Sequence, residues 1–499
     1  MSSVVTAYHN IQILPFELIS IQELTIVKKM NEHATLRFTG IVPEVARDTY
    51  VEMTEAKSAI EVNQLNHLGI PSPLFKGVIL DVKVRSVRGI YYIEVEAASS
   101  TYQLDIKKKN RSYQDKEMTY SSLFKLLHPF YPGLDIIDEA TKGAKLDKFT
   151  LQYRETDWQF LKRLASRFNT GLVPAATFDK PKFHFGVPAG RAKGKLEDYH
   201  YTTRKKLADY LLYTENGNGG MGEHDFLYYE VETDKVMEIG DHVTFHQQTL
   251  YICEAYTTMK DGLLKHYYTL STKNGMNKSE LFNDAISGLS LEGKVLEVAK
   301  DHIKVHLAID EKQDKGKAHW FLYSTGYTAE GHSGWYCMPE INDFVHVYFP
   351  SHREEEGISS SSIRKNLDTS ATNKLDDPST KYYRTAFGKE IKMSPTEVVI
   401  TAQDGGDIFI RLNEANGIEI FSKKEIKLIS EADISVNASK KILLSAEEEI
   451  SLKCKESKIT MNGSVQIFGE GSKGKLKWLR VNEKEGDLYA DTGSFTAFL

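Results

Sequence analysis

This sequence predicts a mainly β protein that ends in an intertwined triple-stranded β-helix built by three copies of the chain. Three observations carry the prediction. Isoleucine recurs at 410, 418, 426, 434, 442 and 450, six times at a spacing of eight. Most of the remaining chain alternates apolar and polar residues in short runs punctuated by glycine, the pattern of half-buried strands. Helical spacing of apolar residues is confined to two short segments, near 120–127 and 156–168.

The octads come first because their period sets the assembly. From Ile418 onward each isoleucine has an apolar partner two residues later: Ile420, Leu428, Val436, Leu444 and Leu452. Residues i and i+2 of a strand share a face, so each octad presents one short apolar stripe and then turns. At roughly 3.3 Å per residue an octad spans at most about 26 Å, too short to wrap one chain around its own core. Three chains, each supplying one octad per layer, close a three-sided prism. The expected trimer core is therefore Ile410, Ile418, Ile420, Ile426, Leu428, Ile434, Val436, Ile442, Leu444, Ile450 and Leu452, stacked as repeats that bury a shared interior.

The other elements follow along the chain. Residues 1 to about 110 contain IQILPFELISIQELTIV, ATLRFTGIV and FKGVILDVKVRSVRGIYYIEVEAAS, whose valine, isoleucine and tyrosine enrichment reads as antiparallel strands. Tyr120 to Leu127 forms a short helix stopped near Pro129 and Pro132. Thr156 caps a second helix, whose stripe is Trp158, Leu161, Leu164, Ala165 and Phe168, and Asn169 to Gly171 end it. Strand patterning resumes from about 180 to 275 and again, as a small barrel, from 286 to 350. The serine- and charge-rich stretch from Arg353 to about Tyr383 reads as a linker. Octads occupy roughly 386 to 468, and the last thirty or so residues abandon the period and end on aromatics.

Composition narrows the classes. The 499 residues carry a formal charge of −6 and no basic stripe with interleaved aromatics, which argues against a general nucleic-acid binder. No stretch approaches the roughly 18 consecutive apolar residues of a membrane span. The N-terminal MSSVVTAYHNIQ has neither the basic start nor the apolar run of a signal peptide. Cys253, Cys337 and Cys454 lie far apart and read as reduced residues of a protein made in the cytoplasm.

Motifs that imitate chemical sites are each outweighed by a plainer reading. Asn216 to Gly222 contains G-x-G-x-x-G, but the following HDFLYYEVETD reads as a strand where a dinucleotide site needs a helix. Gly331-His332-Ser333-Gly334 resembles a hydrolase elbow with its second glycine displaced and no strand-turn-helix around it. His242 and His246 are four apart, a metal-ligand spacing only on a helix. Asp404-Gly405-Gly406-Asp407 falls short of a calcium-binding repeat and reads as a turn, and Glu354 to Glu356 read as solvated loop. No cofactor, metal or catalytic residue is expected.

Three stretches resemble one family, the fused hub and spike proteins of contractile injection systems. These are the valine-glycine repeat (VgrG) proteins of type VI secretion and the hub and puncturing proteins of contractile phage tails and R-type bacteriocins. YRETDWQFLKRL, residues 153–164, is similar to the hub signature through Tyr153, Glu155, Asp157, Trp158, Leu161 and Leu164. GKV at 293–295, IKVH at 303–306 and MPEINDFVHV at 338–347 resemble the OB-fold barrel at the spike's neck, and the octads resemble the needle below it. The octads lack the valine-x-glycine of some relatives, and no lysozyme-like insertion fits between barrel and octads.

The resemblance implies a hub of two β-barrels over residues 1–285, with an α/β insertion at 115–175. It further implies an OB-fold neck at 286–352, a linker at 353–385, a triple β-helix needle at 386–470 and an apex at 471–499. It implies a homotrimer that meets the tail tube protein and baseplate components and contacts the target envelope mechanically. The particle would be assembled from protein made in the cytoplasm and delivered out of the cell. Trp478, Leu479, Tyr489, Phe495 and Phe498 would then form the needle's apex, a cap on its last layer, or a seat for a PAAR-like tip protein or effector. The competing readings are a trimeric fibre or adhesin that binds a receptor, and an envelope-degrading enzyme on a β-helix stalk.

Overall fold

Alternation of apolar and polar side chains builds the first sheet. Its strands are β1 (Ile11–Leu14), β2 (Ser20–Lys29), β3 (Thr35–Val42), β4 (Ala59–Leu65), β5 (Pro71–Val87) and β6 (Ile90–Ser99), with a short helix α1 (Thr49–Glu52) between β3 and β4. In β3 the residues Leu36, Phe38 and Val42 point into a core shared with Leu24, Ile60, Val62, Phe75 and Val95. The computed structural model describes residues 10–461 apart from 47, 67, 198–199, 217–219, 261, 330–332, 364, 366–373, 375–376 and 403–405, plus the short strands 465–468, 480–481 and 488–489. The chain divides into two units, 1–367 and 368–499.

Between the two halves of the sheet lies an α/β segment. It contains β7 (Lys109–Tyr113), α2 (Tyr120–Lys125), β8 (Asp135–Asp138), β9 (Thr150–Glu155), α3 (Asp157–Ser166), β10 (Leu172–Pro174) and β11 (Lys182–Phe185). α3 begins as expected at Thr156, whose hydroxyl accepts from the Gln159 amide at 3.1 Å while the Gln159 side chain accepts from the Thr156 amide at 3.2 Å. This reciprocal cap satisfies two backbone donors that a helix start otherwise leaves open.

The second half contributes β12 (Ala192–Lys195), β13 (Tyr201–Lys205), β14 (Leu227–Thr233), β15 (His242–Phe245), β16 (Gln248–Lys260) and β17 (Leu263–Ser271), with helix α4 (Leu207–Glu215) after β13. The two halves were expected as separate barrels. They are instead continuous, because β2 and β16 pair antiparallel from Thr25 opposite Thr258 to Lys29 opposite Glu254. The result is one 12-stranded sheet in the order β1-β4-β5-β6-β3-β2-β16-β17-β14-β13, with β15 on β16 and β12 on β15. Each half keeps its own hydrophobic core.

A closed barrel follows, made of β18 (Ser290–Ala299), β19 (His302–Leu307), β20 (Trp320–Ser324), β23 (Phe344–Tyr348) and β24 (Ile358–Ile363), with the small hairpin β21 (Thr328–Ala329) and β22 (Ser333–Gly334) in between. β20 and β24 pair in parallel and close the ring. Gly293 sits where β18 bends across β19, and a Cβ there would lie 2.2 Å from Val305 Cγ1, so the crossing excludes a side chain. Phe149 and Leu151 from the α/β segment join Phe321, Val345 and Phe349 in the barrel's core. β24 corrects the sequence reading: ISSSSI was assigned to a linker from 353, yet it supplies the closing strand. Its serines hide the apolar alternation, and only Ser359 turns inward, donating to the His346 carbonyl at 3.0 Å.

The second unit opens with a five-stranded antiparallel meander: β25 (Lys381–Arg384), β26 (Glu390–Met393), β27 (Glu397–Thr401), β28 (Ile408–Asn413) and β29 (Gly417–Ser422). Octads paired between chains were expected from about 386. Over 381–422 the chain pairs with itself, because Asn413 accepts from the amides of Ala415 and Asn416 at 3.0 Å and Gly417 turns back at φ +85°. Ile410 thus lies opposite Ile420, and Leu412 opposite Ile418.

Beyond β29 the period shows in the backbone itself. Bends fall at 423–424, 431–432, 439–440 and 447–448, one every eight residues, and the runs between them belong to no strand. Pairing resumes with β30 (Ile450–Cys454), β31 (Ser457–Met461) and β32 (Val465–Phe468).

Candidate functional site

The six residues of the 153–164 signature gather around the start of α3, and they build a core rather than an open site. Asp157, fully buried at the first turn, accepts from Lys109 Nζ at 2.6 Å, Tyr131 Oη at 2.7 Å and Gln152 Nε2 at 3.0 Å, and pairs with Arg111. Burial, followed by donation to Asp157, drives the Tyr131 phenol well above its ordinary range. Trp158, Leu161 and Leu164 pack in the segment's core, and Trp158 Nε1 donates to the Asn31 carbonyl at 3.3 Å. Tyr153 packs against the barrel core, and its carbonyl accepts from Asn283 Nδ2 at 2.8 Å.

Glu155 leads to residues that the sequence did not mark. Arg163 grips it through Nε and Nη2, both at 2.9 Å, and reaches Glu354 through Nη1 at 2.9 Å. Arg167 closes on the same Glu354, which also accepts from the Leu151 amide at 3.3 Å. Glu354 is 2% exposed. The reading of 354–356 as solvated loop is therefore wrong for its first member: two arginines of α3 and its C-cap draw that carboxylate inside and tie the α/β segment to the barrel's end.

The imitators of chemical sites fall apart in space. Residues 217–219 of the glycine loop and His332 of the elbow-like stretch lie outside the described residues, while Ser333 sits exposed in β22. Helix α4, not a strand, precedes the glycine loop. His242 lies on β15 and His246 in the turn after it at φ +45°. Asp404 and Gly405 lie outside the described residues, and Asp407 pairs with Lys423 at 2.7 Å. Among the described residues no group of three or more His, Cys, Asp or Glu side chains is placed to hold a metal, and no helix is long and apolar enough to cross a membrane.

One buried histidine gives the first unit a pH dependence. His266 on β17 bonds Thr257 at 2.8 Å, and burial, with Lys28 nearby, pushes its pKa down to about 4. The folded form therefore binds fewer protons than the unfolded form between about 4 and the unperturbed value near 6.5. Stability is complete above that window and falls as the pH drops through it, by on the order of 3 kcal/mol for this group. Chemical denaturation from pH 7 to pH 4 should show the loss, and His266→Gln should remove this group's share while leaving that of His319, which burial likewise pushes down to about 4.

A continuous uncovered apolar surface lies in the second unit. In the meander, register places Tyr383, Ile391, Met393, Val398, Ile400, Ile408, Ile410, Leu412, Ile418 and Ile420 on one face. The opposite face is mixed: Arg411 bridges Glu397 and Glu419 and Lys392 pairs with Glu397, beside Val399 and the stacked pair Phe409 and Phe421. An antiparallel sheet ordinarily buries its apolar face, yet among the described residues of 381–456 only Gly388 is buried, and Ile418 is 74% exposed. The octads downstream repeat this: Ile426, Leu428, Ile434, Val436, Ile442, Leu444 and Leu452 are all exposed and Ile450 is half-buried. Among the described residues no backbone–backbone hydrogen bond involves 424–449. Trp478, Leu479, Phe495 and Phe498 lie outside the described residues, as does the side chain of Tyr489.

No protein-family model matches the chain, and no curated relative matches it by sequence. Solved structures do match it in fold. A type VI secretion component of E. coli, c3393, described as similar to the T4 bacteriophage tail proteins gp27 and gp5, aligns at a TM-score of 0.50 and 13% identity, covering 71% of this chain and 100% of that one. The half-lidded Francisella PdpA-VgrG complex aligns at 0.51 and 10%, covering 83% of this chain and 87% of that one. The lidless PdpA-VgrG complex aligns at 0.50 and 10%, with 82% and 97% covered. The chain thus shares its fold with type VI secretion proteins that are themselves described as similar to bacteriophage tail proteins. Within that class its fold is like that of the VgrG complexes.

Proposed function

We propose that this protein is a non-enzymatic, homotrimeric hub and spike of a contractile injection machine. The observation that carries the reading is the second unit's want of a hydrophobic core among the described residues: an apolar sheet face, then three octads with neither partner strands nor cover. Such a surface is stable in water only when something covers it, and the octad period fits two further copies of the same chain. Pairing between copies also removes the open strand edges. The five-stranded barrel is then the OB-fold neck, and the 12-stranded sheet with its α/β segment is the hub that meets the tail tube protein and baseplate components.

In this reading, sheath contraction supplies the work, and the needle transmits force through the target envelope without cofactor or nucleotide. The protein is made in the cytoplasm and leaves the cell as part of the particle. Residues 471–499 form the apex, where Trp478, Leu479, Tyr489, Phe495 and Phe498 seat a PAAR-like tip protein or effector. Deleting 471–499 should leave the trimer intact and abolish cargo loading, scored by co-purification. Intact loading in the truncated particle would remove the docking role. The function as a whole is tested by deleting the gene and asking whether contracted particles still deliver a reporter into target cells.

A further inference from the structure

The three residues that turn each octad alternate in charge. Lys423-Lys424-Glu425 carry a net +1, Glu431-Ala432-Asp433 −2, Ser439-Lys440-Lys441 +2 and Glu447-Glu448-Glu449 −3. All twelve are exposed, and they coincide with the backbone bends. Lys423 pairs with Asp407 at 2.7 Å and Glu425 with Lys427 at 2.9 Å. Among the described residues Lys424, Glu431, Asp433, Lys440, Lys441 and Glu447 to Glu449 form no ion pair within the chain.

From this alternation we infer that the corner charges fix the register in which three copies wind together. The inference rests on the trimeric needle proposed above. In a threefold prism where each chain supplies one octad per layer, a chain passes to the next face with each octad. Each face then stacks one octad of a chain on the preceding octad of its neighbour, with a strand spacing of about 4.8 Å. Corners of opposite sign therefore meet along every edge of the prism: Lys440 and Lys441 of one copy lie over Glu431 and Asp433 of the next, and under Glu447 to Glu449 of the third.

The isoleucines cannot supply this information. Every octad begins with one, so a chain displaced by eight residues keeps its core contacts. Displacement by eight puts lysine corners on lysine corners and glutamate corners on glutamate corners, and like charges directly opposite on neighbouring strands repel. The sequence thus doubles its period at the surface, from eight to sixteen, and the surface reads what the core cannot.

The test is sorting between two chains. The inverted chain carries Lys424→Glu, Glu431→Lys, Asp433→Lys, Lys440→Glu, Lys441→Glu, Glu447→Lys, Glu448→Lys and Glu449→Lys, which keeps the alternation and reverses its sign. Wild-type and inverted chains with different affinity tags are co-expressed, and mixed trimers are counted by tandem purification and native mass spectrometry. Two wild-type chains with different tags provide the binomial share. Each chain alone should trimerise, and mixed trimers should fall about tenfold below that share, the sum of several cross-strand pairs. The bias should vanish on refolding near 1 M salt, where the screening length is about 3 Å.

Mixing at the binomial share overturns the inference and leaves the needle standing. So does an inverted chain that fails to trimerise alone, since the swap preserves alternation. A wild-type chain that forms no trimer overturns the needle and the inference together.

Discussion

Replacing Ile434 and Ile442 with aspartate in one chain should abolish the trimer. Both side chains are exposed in the single chain, at 56% and 52%, so the substitution costs an isolated copy almost nothing. In the shared core the same change acts six times, twice in each of three chains. Burying an isoleucine contributes roughly 1.5–3 kcal/mol, so the loss is on the order of 10–20 kcal/mol before any cost of burying carboxylates. That matches or exceeds the entire net stability of a typical domain, about 5–15 kcal/mol. Light scattering on the double variant should report a monomer with an intact first unit. A variant that stays trimeric would mean that the octads do not face one another.

The second large effect is expected at Glu354. Its carboxylate is the shared acceptor for Arg163 and Arg167 inside the first unit. Glu354→Ala leaves Arg163 held by Glu155 and the Leu151 carbonyl, and Arg167 with Thr150 and Tyr120 as its remaining side-chain partners. Breaking a buried pair by removing one partner costs about 3–5 kcal/mol, because the other charge stays behind without compensation. Denaturant unfolding of the first unit should therefore shift by that amount, while trimerisation through the second unit persists. A shift under about 1 kcal/mol, the usual scale of a solvent-exposed pair, would place Glu354 back in water.

These residues also mark where the sequence was readable. Signals within one turn or one strand came through: Thr156 and Gln159 name the helix start, and the stripe from Trp158 to Leu164 is its buried face. The octads were legible as a repeat because the same apolar position returns every eight residues, and the backbone bends keep that spacing. Glu354 was not legible, since its partners lie 191 and 187 residues away and only folding brings them together. β24 was missed because a strand that closes a barrel through backbone pairing needs little apolar alternation, and ISSSSI has none. Over 408–422 the isoleucine period runs unbroken through a turn at Asn413 to Gly417, so spacing alone could not separate a hairpin within one chain from pairing between chains. The join of β2 to β16 is of the same kind, since a sheet's edge pairing leaves no mark on side-chain alternation.

The central claim is that three copies share one core, and the mass of the purified protein tests it most directly. Size-exclusion chromatography with light scattering, beside an unheated detergent gel, should give a species near three times 56.6 kDa that resists detergent. A clean monomer of 56.6 kDa with folded strands would contradict the account, because the apolar face of 381–422 and the unpaired octads would then have to be stable in water on their own.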